Sequence, residues 1–553
     1  MTATPSYVRG ATDAPLMDET IGALLDRITG EFGDAPALVS PSQGLRWSYS
    51  EFRSAVDRVA HGLRLIGLTK GDRIGIWSAN RAEWILTQFA AARLGLILVT
   101  VNPAYRVHEA EHALKLSGCK AVVAQRSHKS SNYHAILLEL TCGVDGNRLA
   151  ELKHVVSLDE TMQPGWLSWS ELERLGTTAV TIPHTQSFPP TCSEEPINIQ
   201  FTSGTTGAPK GATLSHRNIL NNGYFVGETL RLTSRDRLCL CVPLYHCFGL
   251  VMGVLGALTH GACVVLAGEG FDPAVTLDTV SQEKCTVLYG VPTMFVALLE
   301  EQARSARDTT ALRTGIMAGA PCPEAVMRDV MQVLGMPEVT ICYGMTETSP
   351  VSFQSQIDDP VALRVETVGR VHPHVEVKVV DPAGEAVPRG QPGQLLTRGY
   401  SVMLGYWNDP QRTRDSIDQD GWMQTGDLAT LDDAGYCRIV GRLKDMLIRG
   451  GENIYPREIE EFLFTHKDVA EVQVFGVPDP RYGEEVCAWI RLKPGHAATA
   501  ESVREWCRGR ISHYKVPRYI EFVEAFPMTI TGKVQKHLMR EAMAHRMRPA
   551  EQA

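Results

Sequence analysis

Short apolar runs alternate with amphipathic stretches over most of the chain. Residues 72–77 read as a strand, 82–94 as a helix, 96–101 as a strand, 107–117 as a helix and 121–124 as a strand. Alternation of this kind predicts an α/β fold with layered, largely parallel sheets. Further on, residues 375–380, 393–398 and 436–440 are short strands separated by Pro, Gly and Asp turns, which predicts a small β-rich subdomain over about 360–440. A boundary is expected near residues 441–445, dividing an N-terminal domain, 1–443, from a small α+β domain, 444–553. In the latter Pro456 opens a helix, a favoured place for proline, and Ile459, Phe462 and Leu463 give it an apolar face at i, i+3 and i+4. Strands are expected at 470–477 and 487–492.

One apolar stretch is long enough to span a membrane. Residues 248–267 contain only Thr259 and His260 as clearly polar positions. Gly249, Gly253, Gly256 and Gly261 punctuate it, however, and His260-Gly261 reads as a helix stop before a short buried strand. A core helix followed by a strand is therefore expected.

Composition narrows the function class. A chain of 553 residues is long for one core and predicts two to four structural units. Hydrophobic residues make up 44% and charged residues 21%, ordinary for a globular enzyme. The net charge of −9 argues against nucleic-acid binding through a broad basic surface, but leaves room for a local phosphate site. The 13 cysteines are scattered and include no CxxC pair, so a disulfide scaffold is not expected. Asp13, Asp18 and Glu19, with no long apolar run, fit neither a secretory signal nor a transit peptide, and a cytoplasmic location is expected.

The densest chemistry lies in Phe201-Thr-Ser-Gly-Thr-Thr-Gly-Ala-Pro-Lys-Gly211, directly after an apolar strand-like run. Thr202, Ser203, Thr205 and Thr206 supply hydroxyls, Lys210 supplies charge, and glycines such as Gly204 and Gly207 let backbone N–H groups converge on an anion. This composition suits a triphosphate. It is not G-x-x-x-x-G-K-[ST], and no G-x-G-x-x-G occurs.

This segment resembles the signature loop of the adenylate-forming superfamily: acyl- and aryl-CoA synthetases, luciferase and peptide-synthetase adenylation domains. The other family segments follow in order over roughly residues 20–545. Pro243-Leu-Tyr-His-Cys-Phe-Gly249 and Gly399-Tyr-Ser-Val-Met-Leu-Gly-Tyr-Trp407 most resemble medium-chain acyl-CoA synthetases. The resemblance implies ATP- and Mg²⁺-dependent activation of a carboxylic acid to acyl-AMP, then transfer to CoA. It places Gly319, Ala320 and Pro321 beside adenine, with Tyr343 stacked on it and Gly344 adjoining. It gives Thr346 to the α-phosphate, Glu347 to Mg²⁺, Asp427 to the ribose hydroxyls and Arg442 to the ribose or phosphate side. Lys533 corresponds to the catalytic lysine, Lys444 to the hinge of a mobile C-terminal domain, and Gly450-Gly451 to the walls of the CoA tunnel.

His246, Phe248, Gly249 and Met252 are the acyl-pocket candidates, with His246 also a candidate for a direct chemical role. No carboxylate occurs over residues 247–254 to pair a substrate ammonium, so an apolar acid fits. The glycines there could make room for a chain or serve close helix packing. The chain runs only a short way past Lys533, which favours free CoA over an appended carrier, with a separate carrier protein as an alternative. An aryl- or alicyclic-acid CoA ligase is the other reading within the class. Outside it, His108-Glu-Ala-Glu-His112 matches the H-E-x-x-H zinc pattern on a predicted helix and raises a zinc hydrolase as a rival. A solvated face opposite buried Val107, Ala110, Ala113 and Leu114 competes with it.

Overall fold

The computed structural model describes residues 4–143, 146–159, 163–180, 187–202, 209–449, 452–529 and 534–547. The chain forms two compact units. One comprises Arg9–Glu376 and Thr397–Met423, the other Met1–Val8, Val377–Leu396 and Gln424–Ala553.

The larger unit carries two sheets. The first runs Leu167–Ser168, His154–Ser157, Cys119–Ala124, Arg73–Trp77, Ile97–Thr100, Pro196–Thr202, Lys210–Ser215 and Gly405–Tyr406 in spatial order. The strands from Leu167–Ser168 to Pro196–Thr202 pair in parallel, and the last two are antiparallel additions. Helices Ala82–Leu94 and Val107–Ser117 have the bounds the periodicity predicts. The strand around residues 96–101 is apolar except for Thr100 because both faces of its sheet are covered. Leu98 enters one core with Ile74, Phe52 and Phe89, whereas Ile97 and Val99 enter a second with Trp77, Val122 and Tyr133.

The second sheet contains the parallel strands Thr314–Ala318, Val287–Gly290, Arg237–Leu240 and Cys263–Leu266, in that spatial order. Glu338–Gly344 pairs in parallel with Thr314–Ala318, with Ala318 opposite Cys342. The apolar stretch at 248 is a buried π-helix, Phe248–Leu255, continued by Gly256–Leu258. Gly261 then takes a left-handed φ of +70° and the chain enters strand Cys263–Leu266. Among the described residues no helix is long and apolar enough to cross a membrane.

In the smaller unit the N-terminal segment is tied down by Ser6, whose N–H donates to the Val387 carbonyl (2.7 Å) and whose carbonyl accepts from Val379 N–H (2.9 Å). Its C-terminal part is built on the antiparallel pair Val469–Asp479 and Gly483–Leu492. Helix Pro456–Phe464 packs there through buried Ile459 and Leu463, the apolar face expected from their spacing.

Candidate active site

Three loops of the larger unit leave the same edge of the second sheet. Arg237–Leu240, Thr314–Ala318 and Glu338–Gly344 belong to its parallel part, so the segments after their carboxyl ends, which begin at Cys241, Gly319 and Met345, emerge along one edge, with Val287–Gly290 between the first two strands. That edge is where open α/β sheets bind ligands. The strand residues of Thr314–Ala318 are buried, while Gly319, Ala320 and Pro321 are exposed. Gly319 has φ +92°, a backbone conformation that glycine adopts readily. Tyr343, one residue past the Ala318–Cys342 pair, is half-buried and edge-on to Phe353 at 6.0 Å. Gly344 is required by packing, since a Cβ there would lie 1.7 Å from the Pro350 carbonyl oxygen.

Thr346 and Glu347 follow on a 3₁₀ turn, Thr346–Thr348. Glu347 is buried, and its Oε1 accepts a 2.9 Å hydrogen bond from the Tyr406 hydroxyl. Burial, then the charge and hydrogen bond of Glu347, push the Tyr406 phenol well above its ordinary value, so it stays a neutral donor. Tyr406 arrives by long-range pairing. It lies opposite Ala212, Met403 N–H donates to the Glu347 carbonyl (2.9 Å), and Trp407 N–H donates to the Gly211 carbonyl (2.7 Å). Buried Asn222 fixes the strand after the turn, donating to the Val351 carbonyl (2.8 Å) and accepting from its N–H (3.0 Å).

The phosphate-type loop is held at both ends. Thr202 stands opposite Lys210 in the antiparallel pair, and the Lys210 ammonium lies 4.9 Å from the centre of the Tyr406 ring. Ser203, Gly204, Thr205, Thr206 and Gly207 lie outside the described residues, as do Gly450, Gly451 and Lys533.

His246 is half-buried, and its Nδ1 accepts the Phe248 N–H at 3.1 Å, which leaves the proton of the neutral ring on Nε2. The Cys247 sulfur bridges this loop to the turn, 3.7 Å from His246 Nδ1 and 3.9 Å from Thr346 Oγ1. Phe248 and Met252 are buried, and Phe248 stacks on Tyr289 at 5.8 Å. The glycines of this helix serve packing. A Cβ at Gly249 would lie 2.3 Å from the Pro243 carbonyl oxygen, and one at Gly253 2.5 Å from Leu240 Cδ1.

The smaller unit carries the remaining polar candidates. Asp427 is buried and faces Arg442 across an antiparallel pair, with Oδ1 3.2 Å from Arg442 Nε. Lys444 sits on the 3₁₀ turn Leu443–Asp445, its ammonium held below the usual lysine range by burial and then by the Arg442 charge. Its neighbour Asp445 is bridged to Arg540 at 2.8 Å.

Glu109 and His112 of the H-E-x-x-H pattern are engaged otherwise. Glu109 accepts the Arg106 N–H at the start of its helix (2.7 Å), and His112 Nε2 donates to the Pro209 carbonyl (2.8 Å). His108 is exposed, and Glu139 pairs with Arg148 at 3.0 Å. Among the described residues, no group of three or more His, Cys, Asp or Glu side chains could hold a metal ion.

Sequence reasoning missed Tyr406 and Cys247 as parts of this site. Both lie inside quoted motifs, but neither has a local pattern that marks its contact with residues 346–347.

The family model described as "AMP-binding enzyme" matches residues 25–407, and that described as "AMP-binding enzyme C-terminal domain" matches residues 458–533. The chain belongs to the family of AMP-binding enzymes. It is 46% identical to the putative acyl-CoA synthetase YngI of Bacillus subtilis (strain 168), covering 96% of this chain and 98% of that protein. It is 46% identical to the mitochondrial medium-chain acyl-CoA ligase ACSF2 of Danio rerio, covering 98% and 91%. The fold matches the crystal structure of the anthranilate CoA ligase AuaEII in complex with anthranoyl-AMP, with a TM-score of 0.85 at 28% identity over 97% of this chain and 99% of that one. The architecture is thus that of the adenylate-forming enzymes, and the chain is an enzyme of the ligase class.

Proposed function

We propose that this protein activates a medium-chain fatty acid with ATP and transfers the acyl group to CoA. In the first half-reaction a carboxylate oxygen attacks the α-phosphorus of ATP and the bond to the β-phosphate breaks, giving acyl-AMP and pyrophosphate. In the second the CoA thiol attacks the acyl carbon and AMP leaves. The observation that carries the reading is the meeting of His246, Thr346 and Glu347, at the edge of the second sheet, with Lys210 of the first, where Tyr406 touches both Glu347 and Lys210.

In this reading the half-buried Tyr343 face takes adenine and the exposed Gly319–Pro321 backbone runs beside it. Asp427 accepts from the ribose hydroxyls and Arg442 adds a contact. Thr202, Lys210 and the loop from Ser203 to Gly207 take the outer phosphates, while the Thr346 hydroxyl reaches the α-phosphate. Glu347 fits a divalent cation, being a buried carboxylate whose Oε1 is engaged by Tyr406 and whose second hard oxygen has no hydrogen bond among the described residues. It would hold Mg²⁺, which when bound offsets the phosphate charge. Lys533 donates to the same charge as it builds up at phosphorus. A hinge at Lys444 would then withdraw Lys533 and bring Gly450-Gly451 to the tunnel for the pantetheine arm.

The medium-chain assignment leans on the names of relatives 43–46% identical to this chain. The lack of a carboxylate over residues 247–254 supports an acid without an amino group. An aryl acid is the second reading, favoured by the anthranoyl-AMP complex of the structural neighbour and by the Phe248–Tyr289 stack. Pyrophosphate release from Mg-ATP across acetate to palmitate, benzoate and cyclohexanecarboxylate, with and without CoA, tests both. Release strongest near C6–C12 and turned over by CoA is expected. A preference for benzoate would replace the acid, and release that CoA does not accelerate would replace the acceptor with a carrier protein.

A further inference from the structure

Tyr406 joins two groups that the proposed reaction uses at different points of ATP. Its hydroxyl donates to Glu347 Oε1 at 2.9 Å, and its ring lies under the Lys210 ammonium at 4.9 Å. Tyr406 is itself fixed. Its backbone pairs with Ala212, its N–H donates to Thr413 Oγ1 at 2.9 Å, and the residue before it is a glycine at φ +142° whose Cβ would lie 2.8 Å from Thr413 Cγ2. Lys210 and Ala212 project from the same face of one strand, so the pairing that places the ring also places the ammonium over it. Among the described residues, the Tyr406 hydroxyl is the hydrogen-bond donor to the Glu347 side chain. If the carboxylate rotated away, Glu347 Oε1 would lose this donor in a buried site.

We propose that Tyr406 is a positioning residue for adenylate formation: its hydroxyl holds one oxygen of Glu347 so that the other faces the metal–phosphate position, while its ring holds Lys210 beside it. The inference rests on the assignment of Glu347 to Mg²⁺ given above. Partners that orient a metal-binding carboxylate typically contribute ~10- to 100-fold to metal affinity.

The test measures binding to the full-length protein by calorimetry, with α,β-methylene-ATP as the probe, once in EDTA and once in saturating Mg²⁺. The ratio of the two affinities isolates the metal's contribution. Glu347→Gln and Tyr406→Phe are each expected to lower that ratio by about 10-fold or more. Tyr406→Phe keeps the ring over Lys210, so its affinity in EDTA stays within about twofold of wild type, whereas Tyr406→Leu weakens binding in EDTA as well. A ratio lowered by Glu347→Gln but not by Tyr406→Phe overturns the role of Tyr406 and leaves Glu347 on the metal. A ratio untouched by Glu347→Gln overturns the metal assignment and the inference together. Loss by Tyr406→Phe of equal size in EDTA and in Mg²⁺ shows a damaged site and overturns positioning.

Discussion

Replacing Asp427 with asparagine tests the ribose assignment where the structure makes it most specific. The side chain is 10% exposed, so its carboxylate meets few competing waters. Its partner Arg442 is 52% exposed along the side chain, and the 3.2 Å ion pair contributes little to stability once solvent screening is counted, under about 1 kcal/mol. The variant should therefore fold and keep Arg442 solvated, and the loss should fall on the nucleotide. A hydroxyl donating to a carboxylate contributes about 1.5–3 kcal/mol, roughly 10- to 150-fold in affinity. Wild type should thus bind 2′-deoxy-ATP at least ~10-fold more weakly than ATP. Asp427→Asn can still accept with its amide oxygen but without charge, so ATP binding falls and discrimination shrinks to a few-fold. Fluorescence titration of both nucleotides against both proteins gives the four constants needed. Undiminished discrimination in Asp427→Asn, or none in wild type, would refute the reasoning and move the ribose elsewhere.

The other expectations concern separate parts of the molecule. Lys533→Ala should slow acyl-AMP formation by on the order of 10²–10³, with a smaller effect on thioester formation from supplied acyl-AMP; equal losses in both half-reactions, read by quench-flow, would remove the domain-alternation role. Gly249→Ala pushes a Cβ to 2.3 Å from the Pro243 carbonyl oxygen and should cost about 1–3 kcal/mol of stability in a urea melt, with the chain-length profile unchanged; a stable variant with a shortened profile would mean that the glycine makes room for substrate. His216 is buried, accepts the Ile21 N–H at 3.2 Å, and is pushed by burial from 6.5 down to about 4. Between these values the unfolded chain binds the proton and the folded one does not, so stability is full above pH 6.5 and falls as the pH drops toward 4. From pH 7 to pH 5 the loss is about 2 kcal/mol, visible as a steeper pH dependence of the urea midpoint than in His216→Gln; parallel slopes would contradict it.

Much of the architecture was legible because it is written in local periodicity. The helices Ala82–Leu94 and Val107–Ser117 have their expected bounds, since apolar spacing and the glycines at 95 and 118, both at positive φ, define their ends. The run at 248–267 was read as helix and strand from its glycines, but its π-helical form was not, because a π turn depends on how the helix packs. The same holds for Gly249, where only the nearby Pro243 carbonyl decides between room and packing.

By itself the sequence determined the contiguous chemistry: a hydroxyl- and glycine-rich loop ending in Lys210, the Tyr343–Thr348 hexapeptide, and an apolar segment after His246 with no carboxylate. Such motifs are legible because neighbouring backbone and side-chain groups can serve one ligand without help from afar. Tertiary structure alone decided what holds them. Tyr406 is 59 positions from Glu347 and meets it because Gly405–Tyr406 pairs with Lys210–Ser215. Cys247 is 99 positions from Thr346 and meets it because parallel strands deliver both loops to one edge. Contacts of that range are set by strand register and burial, and no local pattern in the chain encodes them.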